Sequence, residues 1–148
     1  MKLEIKKINK KDAEMCFQLD SDTISLWSRN QWEEELIKDD VYVFGILSSK
    51  NIIGICLFQK IIDEAQINYF SVNQKFRRLG LGTYLMKFIL KECEILKIRK
   101  LLLEVSKNNL VAEDFYNKFN FLTVGVRKKY YQDGSDALLK EKYLLKNP

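Results

Sequence analysis

Between residues 65 and 105 the apolar pattern changes period twice. Ala65 to Val72 reads as a strand. Leu85, Phe88, Ile89, Cys93 and Leu96 then recur at helical spacing over residues 80–97, and Leu101 to Val105 is a short, nearly all-apolar run. Strand, helix and strand in that order make a βαβ unit, whose right-handed crossover leaves the two strands parallel. The all-apolar run belongs in a sheet covered on both faces. Ligands of such sheets favour the crevice beyond the carboxyl ends of parallel strands, so the site is expected there.

The rest of the chain is read around this unit. Leu3 to Ile8 alternates as a half-buried strand, and residues 11–40 are helical and polar, with breaks near Ser21-Asp22-Thr23 and Trp27-Ser28. Ser28 is placed to cap a helix through Trp32 and Leu36. Val41 to Leu47, Ile52 to Ile62 and Ala65 to Val72 follow as strands joined by short turns, so antiparallel hairpins are expected. Val111, Phe115 and Phe119, at i, i+4 and i+8, put one helical face on the sheet. On that reading Tyr116 lies about 100° round the helix, free to face a cleft. Strands over about 121–131 and 136–145 close the chain across Gln132-Asp133-Gly134-Ser135, a hairpin signal. The expected fold is a mixed α/β sheet in the order β-α-α-β-β-β-α-β-α-β-β.

Composition narrows the chemistry. The 148 residues show no composition break or repeat and are read as one domain, 1–148. There is no histidine, which excludes a histidine base, a Ser-His-Asp triad and a His-ligated metal. Cys16, Cys56 and Cys93 are odd in number and have no CxxC pairing, so no metal site and reduced thiols are expected. No uncharged apolar run is longer than Val41 to Leu47, which is far short of the roughly 20 residues of a membrane span. The amino terminus lacks an apolar signal core, and the expected location is cytoplasmic, with no membrane partner.

Lys and Arg exceed Asp and Glu by 25 − 20 = 5, and the excess is local. Residues 75–100 hold eight basic side chains against Glu92 and Glu94, which points to an anionic partner or to a surface of solvated lysines. Arg77-Arg78-Leu79-Gly80-Leu81-Gly82-Thr83 lies in this stretch, between a strand and a helix. Glycines there uncover backbone amides that a helix amino terminus leaves unpaired, and arginines add charge-assisted contacts to phosphate. A glycine turn that merely starts a helix is the alternative. Neither a Walker loop nor the GxGxxG fingerprint fits. Without a helix-turn-helix, RNP or zinc-finger pattern, nucleic acid is not the expected partner.

Arg77-x-x-Gly80-x-Gly82 resembles the [QR]-x-x-G-x-[GA] pyrophosphate loop of the GNAT N-acetyltransferases, and the element order is similar to theirs. A second block, Leu103-Glu104-Val105-x-x-x-Asn109-x-x-Ala112-x-x-x-Tyr116-x-x-x-x-Phe121, resembles the ribosomal-protein-alanine N-acetyltransferase (RimI) group. So do Asp63-Glu64-Ala65 and the tail Val126-Arg127-Lys128-Lys129-Tyr130-Tyr131 with Asp133-Gly134 and Asp136-Ala137. The resemblance covers about residues 60–145. It implies acetyl-CoA as cosubstrate, with Arg77 and the amides of Arg78, Leu79, Gly80, Leu81, Gly82 and Thr83 on the pyrophosphate. It places Phe70, Ser71 and Val72 beside the pantetheine, the Val72 amide facing the thioester oxygen, and Asn109 positioning the cofactor.

The same resemblance implies Glu104 as base and Tyr116 as acid, and a protein or peptide N-terminus as acceptor, most closely the alanine of a ribosomal protein. Trp27, Tyr130 and Tyr131 are candidates for the peptide groove, since aromatics give rigid contact area. A lysine or small-amine acceptor, a nucleic-acid-binding module and a silent coenzyme-binding scaffold are the competing readings. Asn120 stands where the family has a glycine, Asn73-Gln74 lacks a common proline, and Leu26 replaces a proline before Trp-Ser.

Overall fold

Seven β-forming runs pair into one sheet in a computed structural model that describes residues 2–144, the side chains of Arg77 and Arg78 excepted. The strands are β1 (Leu3–Lys7), β2 (Val41–Ser48), β3 (Asn51–Ile61), β4 (Glu64–Val72), β5 (Lys100–Ser106), β6 (Leu122–Arg127) and β7 (Ala137–Tyr143). The helices are α1 (Ala13–Asp22), α2 (Arg29–Leu36), α3 (Leu81–Ile95) and α4 (Leu110–Lys118). Chain order is the expected one. Across the sheet the order is β1-β2-β3-β4-β5-β7-β6, so the last strand inserts beside β5 and leaves β6 at the edge. Among the described residues only β4 and β5 are parallel neighbours, as the βαβ reading requires.

Each face of the sheet carries its own apolar layer. Leu81, Leu85, Met86, Ile89 and Cys93 of α3 and Tyr116 of α4 pack on one face. Ala13, Cys16 and Leu19 of α1 and Trp32 of α2 pack on the other. Local signals explain the helix boundaries. Ser28 starts α2 with a reciprocal capping box, its hydroxyl accepting from the Gln31 amide at 3.1 Å while Gln31 accepts from the Ser28 amide at 2.8 Å. Asn120, at φ +65°, ends the α4 region in a left-handed turn that asparagine tolerates. The three cysteines are buried and free, and burial pushes the thiols of Cys16 and Cys93 up to about 12.

Two sequence expectations need correction. Val111 is exposed, and α4 turns Ala112, Phe115, Tyr116 and Phe119 inward instead. Residues 112, 115, 116 and 119 make a continuous stripe at i, i+3, i+4 and i+7, wider than the i, i+4, i+8 line read from the sequence. Tyr116 is therefore among the buried residues. Second, β6 ends at Arg127 and β7 begins at Ala137, so the connection is a long loop rather than a tight Asp-Gly hairpin. Gly134, at φ +83°, turns inside that loop, its amide donating to the Tyr131 carbonyl. The expected strand β4 also carries an irregularity: β3 pairs Leu57 with Tyr69 but Phe58 with Ile67, leaving Asn68 as a bulge. Ile67 and Tyr69 consequently face opposite layers although they are two residues apart.

Candidate active site

The bulge at Asn68 opens the sheet. Pairing of β4 with β5 stops at Ile67 and Leu103, although the two strands continue to Val72 and Ser106. Beyond that point each follows its outer neighbour: β4 stays on β3 to the Gly54–Val72 pair, and β5 stays on β7 to the Ser106–Ala137 pair. The wedge between them is a cavity of about 490 Å³ walled by Ile67 to Phe70, Leu103 to Ser106, Asn109, Ala112 and Tyr116. Ile24, Leu26, Tyr130 and Tyr131 line it as well. Asn73 donates its amide to the Ile53 carbonyl, and Val72 pairs with Gly54, so the end of β4 is held on β3.

Glu104 sits in the β5 wall, opposite Leu139 of β7, with its side chain 20% exposed. Arg127 approaches the carboxylate at 3.5 Å and also lies 5.4 Å from the Tyr130 ring centre. Burial, and secondly the Glu104 charge, raise the Tyr131 phenol above its ordinary pKa. Tyr116 stands between Phe70, Phe115 and Phe121, with ring centres 5.4 to 6.3 Å away. Burial raises its phenol well above the ordinary value, with the Cys56 thiol adding to the effect. The hydroxyl has no hydrogen-bond partner among the described residues, while every fully buried side-chain polar atom described has one. It therefore reaches the cavity surface.

The start of α3 is open. Gly80 has φ +72°, and no atom lies within 4 Å of where a Cβ would stand. Gly82 is closed in: a Cβ there would meet the Phe115 ring at 3.3 Å. Glycine at 80 supplies the left-handed turn, and glycine at 82 lets α4 approach. The first amides of α3 lack intrahelical acceptors, as at any helix amino terminus, and can receive an anionic group. The expected contribution of the Arg77 and Arg78 side chains lies outside the described residues. Asn109 caps α4, its side chain accepting from the Ala112 amide at 3.1 Å, and also borders the cavity.

Tyr130 and Tyr131 are held by a loop that sequence reading had taken for strand. Ser106 and Ser135 share a hydroxyl hydrogen bond at 2.9 Å, and Asp133 accepts from the Ser135 hydroxyl at 2.6 Å. Asp136 accepts from the Lys129 amide at 2.9 Å, and its carbonyl accepts from the Lys107 amide at 2.9 Å. These bonds fasten the loop to the end of β5. Of the three aromatics expected in the groove, Trp27 is not there. It packs inward against Trp32 and Tyr69, at ring separations of 4.8 and 5.7 Å, and Ile24 and Leu26 take its place along the wall. Ser71 is buried and, by alternation with Phe70, turns away from the wedge.

The acetyltransferase (GNAT) family profile matches residues 5–121. The chain belongs to the GNAT acetyltransferase family. A Bacillus subtilis (strain 168) protein provisionally named ribosomal protein bS18-alanine N-acetyltransferase is 26% identical to this GNAT chain over 141 residues, 93% of either protein. The crystal structure of the ribosomal-protein-S18-alanine N-acetyltransferase from Escherichia coli superposes with a TM-score of 0.92 at 21% identity, over 99% of this chain and 97% of that one. PaiA N-acetyltransferase from Thermoplasma acidophilum, solved with coenzyme A, gives a TM-score of 0.80 at 19% identity over 97% and 99% of the two chains. The mixed α/β fold and the N-acetyltransferase assignment expected from the two sequence blocks both stand. Among the described residues no helix is long and apolar enough to cross a membrane.

Proposed function

We propose that this GNAT enzyme moves the acetyl group of acetyl-CoA to a protein α-amine, specifically the N-terminal alanine of a small-subunit ribosomal protein. The observation that carries the reading is the wedge between β4 and β5, where a carboxylate, Glu104, and a neutral phenol, Tyr116, border one cavity beside an open helix amino terminus. The names of the Bacillus and E. coli relatives favour the alanine acceptor.

In this account acetyl-CoA supplies the acetyl group as an activated thioester. The amides from Arg78 to Thr83, with Arg77 and Arg78, hold its pyrophosphate, and Phe70 to Val72 run beside its pantetheine. Asn109 helps to position it. The Val72 amide is a donor toward the carbonyl oxygen as charge grows there, an interaction worth about 2.7–4 kcal/mol in other enzymes. Glu104 takes the proton of the acceptor amine, and Tyr116 returns one to the departing sulfur. Tyr130 and Tyr131 close over the peptide.

An α-amine with pKa about 7.7–8.0 is neutral a few hundred-fold more often at pH 7 than a lysine at about 10.4, so it asks less of the base. The test is mass spectrometry of two peptides incubated with enzyme and acetyl-CoA. One has a free N-terminal alanine and no lysine; the other has a blocked terminus and an internal lysine. Acetylation of the first is expected. Acetylation of the second alone would replace the α-amine reading with a lysine enzyme.

A further inference from the structure

Asp20, at the end of α1, is completely buried and receives four hydrogen bonds. One carboxylate oxygen accepts from the Leu26 amide at 2.9 Å and the Tyr69 hydroxyl at 3.1 Å. The other accepts from the Trp27 amide at 2.8 Å and the Trp32 indole at 3.0 Å. A buried carboxylate is costly unless its acceptor sites are filled, and here the donors come from three separate parts of the chain. Two belong to the connection between α1 and α2, one to α2, and one to β4.

Those parts meet at the wedge. Leu26 and Ile24 expose 50% and 49% of their surface along it. Between them Ser25 holds φ +57°, a conformation most residues avoid, with its amide on the Asp20 carbonyl. Such backbone persists where its surroundings over-determine it. Tyr69 follows the Asn68 bulge, and the bulge is what turns its ring to the Asp20 side of the sheet. Burial keeps the Tyr69 phenol protonated as a donor. Asp20 thus ties the connection carrying Leu26 to the strand whose bend creates the cavity.

We propose that Asp20, acting through the Leu26 amide and Tyr69, is a positioning residue for the acceptor. It fixes Leu26 in the cavity wall against β4, so acceptor recognition depends on it and coenzyme binding does not. The inference rests on the reading that the acceptor amine enters this wedge.

Asp20→Asn is the informative change. With its oxygen toward Trp27 and Trp32, the new amide group can donate to the Tyr69 hydroxyl, which is 3.4 Å from the Thr23 hydroxyl. Only the Leu26 amide then loses its acceptor. Tyr69→Phe removes the β4 tie while leaving three donors on Asp20, and serves if the asparagine variant does not fold. Steady-state kinetics with the N-terminal alanine peptide, coenzyme A affinity by calorimetry and thermal unfolding are measured on each.

The acceptor KM is expected to rise about five- to tenfold in Asp20→Asn and about threefold in Tyr69→Phe, the scale of one lost hydrogen bond. Coenzyme A Kd should stay within about twofold. An unchanged acceptor KM, even with lowered thermal stability, would overturn the proposal, as would equal losses of acceptor and coenzyme affinity. The wild type reports the functional reading separately: if it acetylates only another amine, the α-amine reading falls and the variants are measured on that amine. No acetylation of any amine overturns both.

Discussion

Glu104→Gln is expected to lower kcat at neutral pH by about 10²- to 10⁴-fold, the usual contribution of a positioned acid–base group. The backbone at this position is set by its pairing with Leu139 in β7, and glutamine has the same shape. Its carbonyl oxygen can still accept from Arg127, which approaches the carboxylate at 3.5 Å. Arg127 is itself half exposed, so losing the ion pair changes stability by no more than about 1 kcal/mol. What the amide cannot do is take a proton. Coenzyme A affinity should be unchanged, because the carboxylate is assigned to the amine. Stopped-assay turnover and calorimetry on the same preparation separate the two quantities. A loss smaller than about threefold would remove Glu104 from the mechanism.

Tyr116→Phe is expected to cost about 10²-fold in kcat with little change in unfolding temperature. The ring stays packed on Phe70, Phe115 and Phe121, and the deleted hydroxyl has no partner among the described residues to be left unsatisfied. The direction of its pKa adds a pH test. Burial lifts the phenol above its ordinary value of about 10, so the proton is present throughout the range in which the enzyme is assayed. Activity of the wild type should therefore rise with the neutral fraction of the acceptor amine up to about pH 9, without a fall from Tyr116. Full activity in the phenylalanine variant would contradict its role as acid.

The βαβ unit, the glycine turn and the order of elements were legible because each rests on local periodicity or turn chemistry. Ser28 announced its helix in the same way, by the reciprocal bond to Gln31 three residues on. The place of the wedge, beyond the carboxyl ends of β4 and β5, was expected, but what opens it was not legible. It depends on one extra residue, Asn68, in a run read simply as a strand, and on β7 inserting beside β5, a pairing between distant segments. Tyr116 lines the cavity as expected, but the packing of its ring into the core was not legible, for a related reason. A tyrosine reads as amphipathic, and only the packed neighbours decide whether ring or hydroxyl governs its position. Trp27 was misplaced because nothing in its sequence surroundings reveals Asp20, Trp32 and Tyr69 as its partners.

Whether coenzyme and α-amine meet between β4 and β5 can be measured by calorimetry with coenzyme A joined covalently to the N-terminal alanine of a lysine-free peptide. If both halves occupy one wedge, the conjugate should bind at least about 10²-fold more tightly than coenzyme A alone, because the second half binds without a second loss of free motion. A conjugate joined through an internal lysine should gain less than about tenfold. Equal affinity of the alanine conjugate and free coenzyme A would contradict the assignment of this cavity to the reaction.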